Sequence, residues 1–457
     1  MIFQTRKQNP FIGEEDILYG PMKLFGSSGI RGLVNKDITV DLAMDIGRIL
    51  GTIHRRVIIG HDSRISRDLF LNAITSGLLS AGCDVAWAGM VTTPTLAYAA
   101  RTFDCGVMIT ASHNPPEYNG IKFLNPDGSG FGVSQMEKIE EMLEKRDFKT
   151  AGWRDIKSPT TYANAIEEHM DEIIGSTPKM DLKVVVDAGC GAASTITPYL
   201  LTELGCRVVT LNCQPDGVFP GRPSEPSDEN LSALMKTVVA NGADLGIAHD
   251  GDADRMVAVD EKGKFAGGDT LLALFAGFEV KKSVVVPVNA SMAVDDVVGH
   301  AEVIRTKVGD VFISQKIKEC GADFGGEPSG TWIFPEHSLC PDGVYAAVRL
   351  AQCVSKEALS SQVARLPSYP RKKGTLSCPN EKKYNLLDQV KTGLEAMNPK
   401  NIDSVDGVRA QFDSSWALVR ASGTEPKIRI TVEAKNEDEA STLYDNVYEV
   451  VRGCVRT

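Results

Sequence analysis

Along most of the chain, short apolar runs alternate with stretches of helical period and with polar breaks rich in glycine. Residues 57–60 predict a buried strand, 67–81 a helix and 84–88 a second strand. A third apolar run, 106–109, leads directly into Thr110-Ala111-Ser112-His113-Asn114-Pro115. The same order returns further on. Residues 184–187 form a strand pattern, followed by a Gly/Ala-rich turn and a helix, then strands at 207–211 and 245–248. The last of these leads into Asp250-Gly251-Asp252-Ala253-Asp254-Arg255. A third round gives strands at 284–288, 302–306 and 322–324, ending on Gly325-Gly326-Glu327-Pro328-Ser329-Gly330. Apolar strands alternating with helices predict α/β units whose sheets are mixed, mostly parallel, and covered on both faces. Ligand loops in such sheets lie beyond the carboxyl ends of the strands, where all three polar loops fall. Residue identity between the three units is low, so their relationship rests on order and loop position.

The C-terminal pattern differs. Residues 368–374 read as a linker. After them come a helix over 381–396, strands at 407–412 and 416–419, an alternating strand at 428–433 and a closing helix at 436–451. This predicts a small α+β domain. Residues 1–21 are polar and irregular, expected as a short disordered lead, with Met22 as an alternative translation start.

The 457 residues suggest about three domains by length alone. A net charge of −11 argues against a nucleic-acid partner and makes individual arginines and lysines informative. Ten cysteines without any Cys-x-x-Cys pair predict buried, reduced thiols in a cytoplasmic protein. No run of 18 apolar residues is present, so no membrane span is expected.

The candidate chemistry sits in the loops. Asp250, Asp252 and Asp254 repel one another unless a cation lies among them, and Gly251 and Ala253 let them converge. Such hard oxygen ligands suit one Mg²⁺. The alternative is a solvated acidic loop. Counting from Asp250, Glu261 stands at the twelfth position of an EF-hand, but Arg255 stands at the sixth, where glycine is needed, and this argues against that loop. Arg255 presents a fork that fits phosphate. Ser112 is a poor nucleophile without a base or metal, and no Gly-x-Ser-x-Gly elbow surrounds it. With Mg²⁺ nearby, Ser112 would carry a phosphoryl group and Lys122 would assist proton transfer; otherwise Ser112 and His113 are turn residues. His113 alone reads as an orienting hydrogen-bond group. Ser422, Gly423 and Thr424, flanked by Arg420 and Arg429, have the composition of a phosphate cradle. Glu327 and Ser329 suit sugar hydroxyls, or mark a plain turn. Gly26-Ser27-Ser28-Gly29-Ile30-Arg31-Gly32 lacks the Gly-Lys-Ser/Thr of a nucleotide loop, so no ATP site is expected.

Five segments in this order resemble the α-D-phosphohexomutase family: GSSGIRG at 26–32, TASHNPPEYNGIKF at 110–123, DGDADR at 250–255, GEPSG at 326–330 and RASGTEPKIRI at 420–430. The resemblance implies four domains around a central cleft, placed here at 1–153, 154–259, 260–368 and 369–457. It implies a phosphoserine at Ser112, with Ser112, Asp250, Asp252 and Asp254 as Mg²⁺ ligands. Glu327 and Ser329 would meet the sugar hydroxyls. Arg420, Ser422, Gly423, Thr424 and Arg429 would hold the non-reacting phosphate. Arg31, Lys122 and Arg255 would be active-site cations, Lys122 acting as acid or base. The implied reaction interconverts hexose 6-phosphate and hexose 1-phosphate through a hexose 1,6-bisphosphate, which also serves as activator. The loop GEPSG followed by Thr331-Trp332-Ile333-Phe334 most resembles archaeal phosphoglucosamine mutases. That implies glucosamine phosphate, with mannose or glucose phosphate as the alternative. Many relatives carry histidine where Thr331 stands, so no contact is carried over at that position. The expected protein is a monomer or homodimer. A metal-dependent sugar phosphatase and a non-catalytic phosphosugar-binding protein are the competing readings.

Overall fold

The computed structural model describes Gly26, residues 29–422 and residues 426–456. The lead at 1–21, together with Gly423 and Thr424, lies outside the described residues.

Three sheets share one strand order. In each, the first three strands run parallel, and the third turns back through a hairpin into an antiparallel fourth. Across the sheet the order is second, first, third, fourth. In the first unit these strands are Arg56–His61, Asp84–Met90, Cys105–Ile109 and Tyr118–Leu124. In the second they are Lys183–Asp187, Arg207–Leu211, Leu245–His249 and Met256–Asp260. In the third they are Ser283–Pro287, Glu302–Thr306, Phe324–Glu327 and Thr331–Ile333. Sequence order alone suggests the repetition; the shared topology establishes it. Each polar loop is the hairpin connection between third and fourth strands.

Burial explains why the parallel strands read as unbroken apolar runs. Val184, Val185 and Val186 are all buried, as are Val284, Val285 and Val286, because helices cover both faces. The helix Val40–Ile53 shows the complementary pattern. Thr39 caps it by accepting the Leu42 N–H, and Ala43, Ile46 and Leu50 form its buried stripe.

The fourth unit is an antiparallel sheet in the order Arg371–Ser377, Lys427–Ala434, Ser415–Ala421, Val408–Gln411, Asn401–Asp403. Helices Leu386–Glu395 and Glu437–Arg456 pack on it. Two expectations need correction. Residues 371–374 are not a linker but the start of an edge strand, whose cationic composition suits an unpaired sheet edge. The single helix expected over 381–396 is two, Asn380–Lys383 and Leu386–Glu395. Arg371 then ties this unit to the third, pairing with Glu433 at 2.5 Å and Asp269 at 2.7 Å.

All ten cysteines are free thiols; most are buried, but Cys320 is exposed, against the expectation for the whole set. Among the described residues no helix is long and apolar enough to cross a membrane.

Candidate active site

The hairpin loops of the first and second units meet face to face. Ser112 takes a left-handed backbone conformation (φ 51°) and so does Ala253 (φ 57°), an unfavourable choice for side-chain-bearing residues that is held by the surrounding structure. Buried Arg64 organises the serine loop. Its guanidinium pairs with Asp62 at 3.1 Å and donates to the carbonyl oxygens of Ser112, Asn114, Pro115 and Tyr118 at 2.6–2.9 Å. The Thr110 hydroxyl accepts the Ser112 N–H and donates to Asp62. Gly251 has no alternative: a Cβ there would lie 2.6 Å from the Ser112 carbonyl oxygen.

The result is a buried cluster. Ser112 Oγ donates to Asp250 Oδ2 at 2.5 Å and lies 3.5 Å from Asp254 Oδ1 and 3.3 Å from His113 Nδ1. One carboxylate oxygen from each of Asp250, Asp252 and Asp254 falls within 4.8 Å of the others. Lys122, on the fourth strand of the first unit, reaches across to Asp252 at 2.7 Å and Asp254 at 2.5 Å. Thr93 anchors Asp252 twice, through its hydroxyl to Oδ2 and its N–H to the backbone carbonyl. Asp252 Oδ1 is buried with no hydrogen-bond partner among the described residues. An orphaned carboxylate oxygen among three converging carboxylates fits a hard divalent cation, and the solvated-loop alternative fails because the triplet is buried.

Charge is divided unevenly within the cluster. Burial and the neighbouring Asp254 and Asp252 hold the Asp250 carboxyl well above its usual range. Burial would raise Asp254 too, but Lys122 and Arg255 bring it down to about 2. Burial would lower Lys122, yet Asp252 and Asp254 hold it above its ordinary value, so it stands as a protonated donor. Burial together with Arg255 and Arg31 lowers His113 to about 2, leaving a neutral imidazole.

A cleft of ≈ 400 Å³ opens beside this cluster, lined by Arg31, His113, Asp254, Arg255, Asn289, Asp310, Glu327 and Ser329 among others. The loops of the second and third units are joined at its floor by an Arg255–Thr331 bridge and a Trp332 Nε1–H bond to the Met256 carbonyl. Glu327 accepts the Gly309 N–H at 2.7 Å and the Ser329 hydroxyl at 3.2 Å. Burial and Asp310 push its carboxyl up to about 7. Arg31 Nη1 lies 3.4 Å from Asn114 Oδ1.

An adjoining cavity of ≈ 360 Å³ shares Asn289 and Pro328 with the cleft and is lined by Arg371, Lys373, Arg420 and Arg429. Arg420 and Arg429 face each other across paired strands, and Arg429 Nη2 lies 3.4 Å from Ser422 Oγ. Arg420 pairs with Asp406 at 2.6 Å. Every described candidate residue but Ser422 thus borders one of the two adjoining spaces or the carboxylate cluster beside the first; Ser422 stands behind the second space, against Arg429. Sequence reasoning missed four contributors. Arg371 and Lys373 were hidden in the presumed linker. Asn289 carries a buried Oδ1 with no hydrogen-bond partner among the described residues. Glu225 holds Arg255 at 2.9 Å and lies 3.6 Å from His113, and nothing in its local sequence marks it.

Known proteins match this architecture throughout. The phosphoglucomutase/phosphomannomutase family matches in four consecutive pieces: alpha/beta/alpha domain I over residues 22–150, domain II over 160–263, domain III over 267–369 and the C-terminal domain over 376–450. A protein of Methanosarcina acetivorans named "Probable phosphoglucosamine mutase" is 54% identical over 438 residues, covering 95% of this chain and 99% of its own. A phosphoglucomutase/phosphomannomutase family protein of Burkholderia thailandensis superposes with a TM-score of 0.85 at 26% identity, covering 94% of this chain and 98% of its own. An Aspergillus fumigatus N-acetylphosphoglucosamine mutase, solved with GlcNAc-6P and magnesium, shares the fold at a TM-score of 0.56 and 16% identity, covering 95% and 97%. The chain belongs to the phosphoglucomutase/phosphomannomutase family of hexose-phosphate mutases.

Proposed function

We propose that this mutase interconverts glucosamine 6-phosphate and glucosamine 1-phosphate, with Ser112 carrying the phosphoryl group that is exchanged. The observation that carries the reading is Ser112 Oγ at 2.5 Å from Asp250, inside a buried carboxylate triplet in which Asp252 Oδ1 has no partner among the described residues. Asp250, Asp252 and Asp254, with an oxygen carried on Ser112, would hold Mg²⁺, which would neutralise charge on the group in transfer. The sugar choice follows relatives named for glucosamine phosphate, above all the 54%-identical archaeal protein.

The chain's own groups supply the rest. Lys122, protonated and aimed at the carboxylates beside Ser112, gives a proton to Ser112 Oγ as its bond to phosphorus breaks, and the proton lost by the attacking sugar hydroxyl restores the lysine's charge; the reverse half-reaction runs the same exchange backwards. Arg31 and Arg255 face the cleft and stabilise charge in transit. Glu327 and Ser329 bind sugar hydroxyls. Arg371, Lys373, Arg420 and Arg429 surround the adjoining cavity, which receives the phosphate that is not reacting. The sugar turns between half-reactions, so each end visits each space. A 1,6-bisphosphate is both the turning intermediate and the activator that primes Ser112. Neutral His113 hydrogen-bonds Ser112 Oγ without adding charge. We place the enzyme in the cytoplasm.

A coupled assay tests this reading, using glucosamine, mannose and glucose 6-phosphates, each primed with its own bisphosphate. Glucosamine 6-phosphate should give the highest kcat/KM, with no inorganic phosphate accumulating. Preference for another sugar would overturn the specificity, and stoichiometric phosphate release would mean hydrolysis instead of transfer.

A further inference from the structure

Away from the cleft, two imidazoles and a carboxylate converge where the first three units meet. His169 stands on the helix Ala165–Ser176, His337 in the loop after Thr331–Ile333, and Asp342 at the N-cap of the helix Gly343–Val354. His169 Nε2 lies 3.3 Å from Asp342 Oδ2, and His337 Nε2 lies 3.2 Å from the same oxygen. The two Nε2 atoms are 3.4 Å apart. The triangle is nearly equilateral. Ligand atoms about 2.1 Å from one tetrahedral or octahedral ion are separated by roughly 3.0–3.4 Å, so these atoms stand at the spacing that a shared ion requires.

A second observation is independent of that spacing. Asp342 Oδ2 is buried and, despite two nitrogens within reach, has no hydrogen bond of acceptable direction among the described residues. The other oxygen is already committed, Oδ1 accepting the Tyr345 N–H at 2.7 Å. His169 and Asp342 have side chains 0% and 2% exposed and His337 7%, so the cluster is largely shielded, with His337 on its more open side.

The surroundings orient ligands as outer partners of metal sites do. His169 Nδ1 meets Thr95 Oγ1 at 3.0 Å, which leaves Nε2 pointing at the triangle. Tyr98 stacks on His169 at 5.4 Å, and Tyr345 on His337 at 4.2 Å. The Arg101 guanidinium donates to the His337 carbonyl oxygen. The side chains thus come from all three repeated units, with His169 in the second, His337 and Asp342 in the third, and Thr95, Tyr98 and Arg101 in the first.

We propose that His169, His337 and Asp342 bind a transition-metal dication, best fitted by Zn²⁺, that clamps the first three units together and shares no ligand with the aspartate triplet. Two imidazoles and one carboxylate favour such an ion over Mg²⁺, which prefers oxygen ligands. With three protein ligands, water would complete the coordination shell. The clamp would hold the repeated units as one body, leaving the fourth unit as the part free to swing.

Cobalt binding tests this on the full chain, stripped with chelator and returned to saturating Mg²⁺ so that the aspartate triplet is filled. Added Co²⁺ should bind at one equivalent, produce visible absorption bands and raise Tm; Zn²⁺ should displace it. His337→Gln, on a loop, should abolish the bands and the Tm rise while Mg²⁺-dependent activity persists. Its loss of Zn²⁺ affinity should exceed the ~10–100-fold typical of an outer-shell change. Asp252→Asn should keep the bands. The proposal is overturned if wild-type protein takes up no Co²⁺ in the presence of Mg²⁺, or if His337→Gln binds it unchanged. The wild-type titration decides the matter even should the variant misfold.

Discussion

The Arg64 guanidinium donates to the Ser112 carbonyl oxygen at 2.9 Å, from a position with no solvent exposure. One side chain, contributed by the loop after the first strand, thereby fixes the loop after the third. Its charge is balanced by Asp62, and Ser112 is presented in a backbone conformation it would not choose alone. Arg64→Ala should leave Asp62 buried without its cationic partner and take a donor from four loop carbonyls, of which Ser112 keeps only the Ser224 hydroxyl and Pro115 only the Tyr118 N–H. The expected loss is roughly 3–5 kcal/mol of stability, read from denaturant midpoints. Arg64→Lys should recover little of it, since an ammonium cannot span the same carbonyls.

The loops that carry chemistry were legible because glycine, hydroxyl and charged residues interrupt otherwise apolar runs at strand ends. The central parallel strands were legible because both faces are buried, as in Val184–Val186. Three things were not. The antiparallel fourth strands follow directly on polar hairpins that draw the eye to their chemistry, and Thr331–Ile333 also leaves periodicity only three residues to act on. The edge strand Arg371–Ser377 carries the cations, glycine and partial exposure of a linker. Glu225, Asn289 and the His169–His337–Asp342 cluster acquire meaning only through partners far away in sequence.

Glu327 gives the fold a pH dependence. Burial and Asp310 push its carboxyl from 4.5 up to about 7. The folded state therefore holds this proton more tightly than the unfolded chain. Its stabilisation is complete below pH about 4.5 and is lost as pH rises through about 7. Glu327→Gln cannot ionise and should escape that loss. Between pH 5 and 8 the wild type should become less stable relative to this variant by up to roughly 3 kcal/mol. Urea midpoints across that range would reveal it, and a difference independent of pH would contradict the assignment.

Arg420 pairs with Asp406 yet borders the cationic cavity, and its Nε is buried without a partner among the described residues. If that cavity receives phosphate, Arg420→Ala removes a charge-assisted bond, with an expected penalty of roughly 1.5–3 kcal/mol. KM for the sugar phosphate should rise about 10–100-fold, while Tm changes little. Steady-state kinetics with a parallel melt would check this, and an unchanged KM would remove Arg420 from the phosphate site.

The most direct measurement is to quench the enzyme during turnover and locate the phosphoryl group by peptide mass spectrometry. The account predicts that bisphosphate priming places one phosphoryl group on Ser112, that sugar monophosphate discharges it, and that chelating the divalent ion or making Ser112→Ala stops both transfer and turnover. Sustained mutase turnover with Ser112 never phosphorylated, or undiminished after the ion is removed, would contradict it.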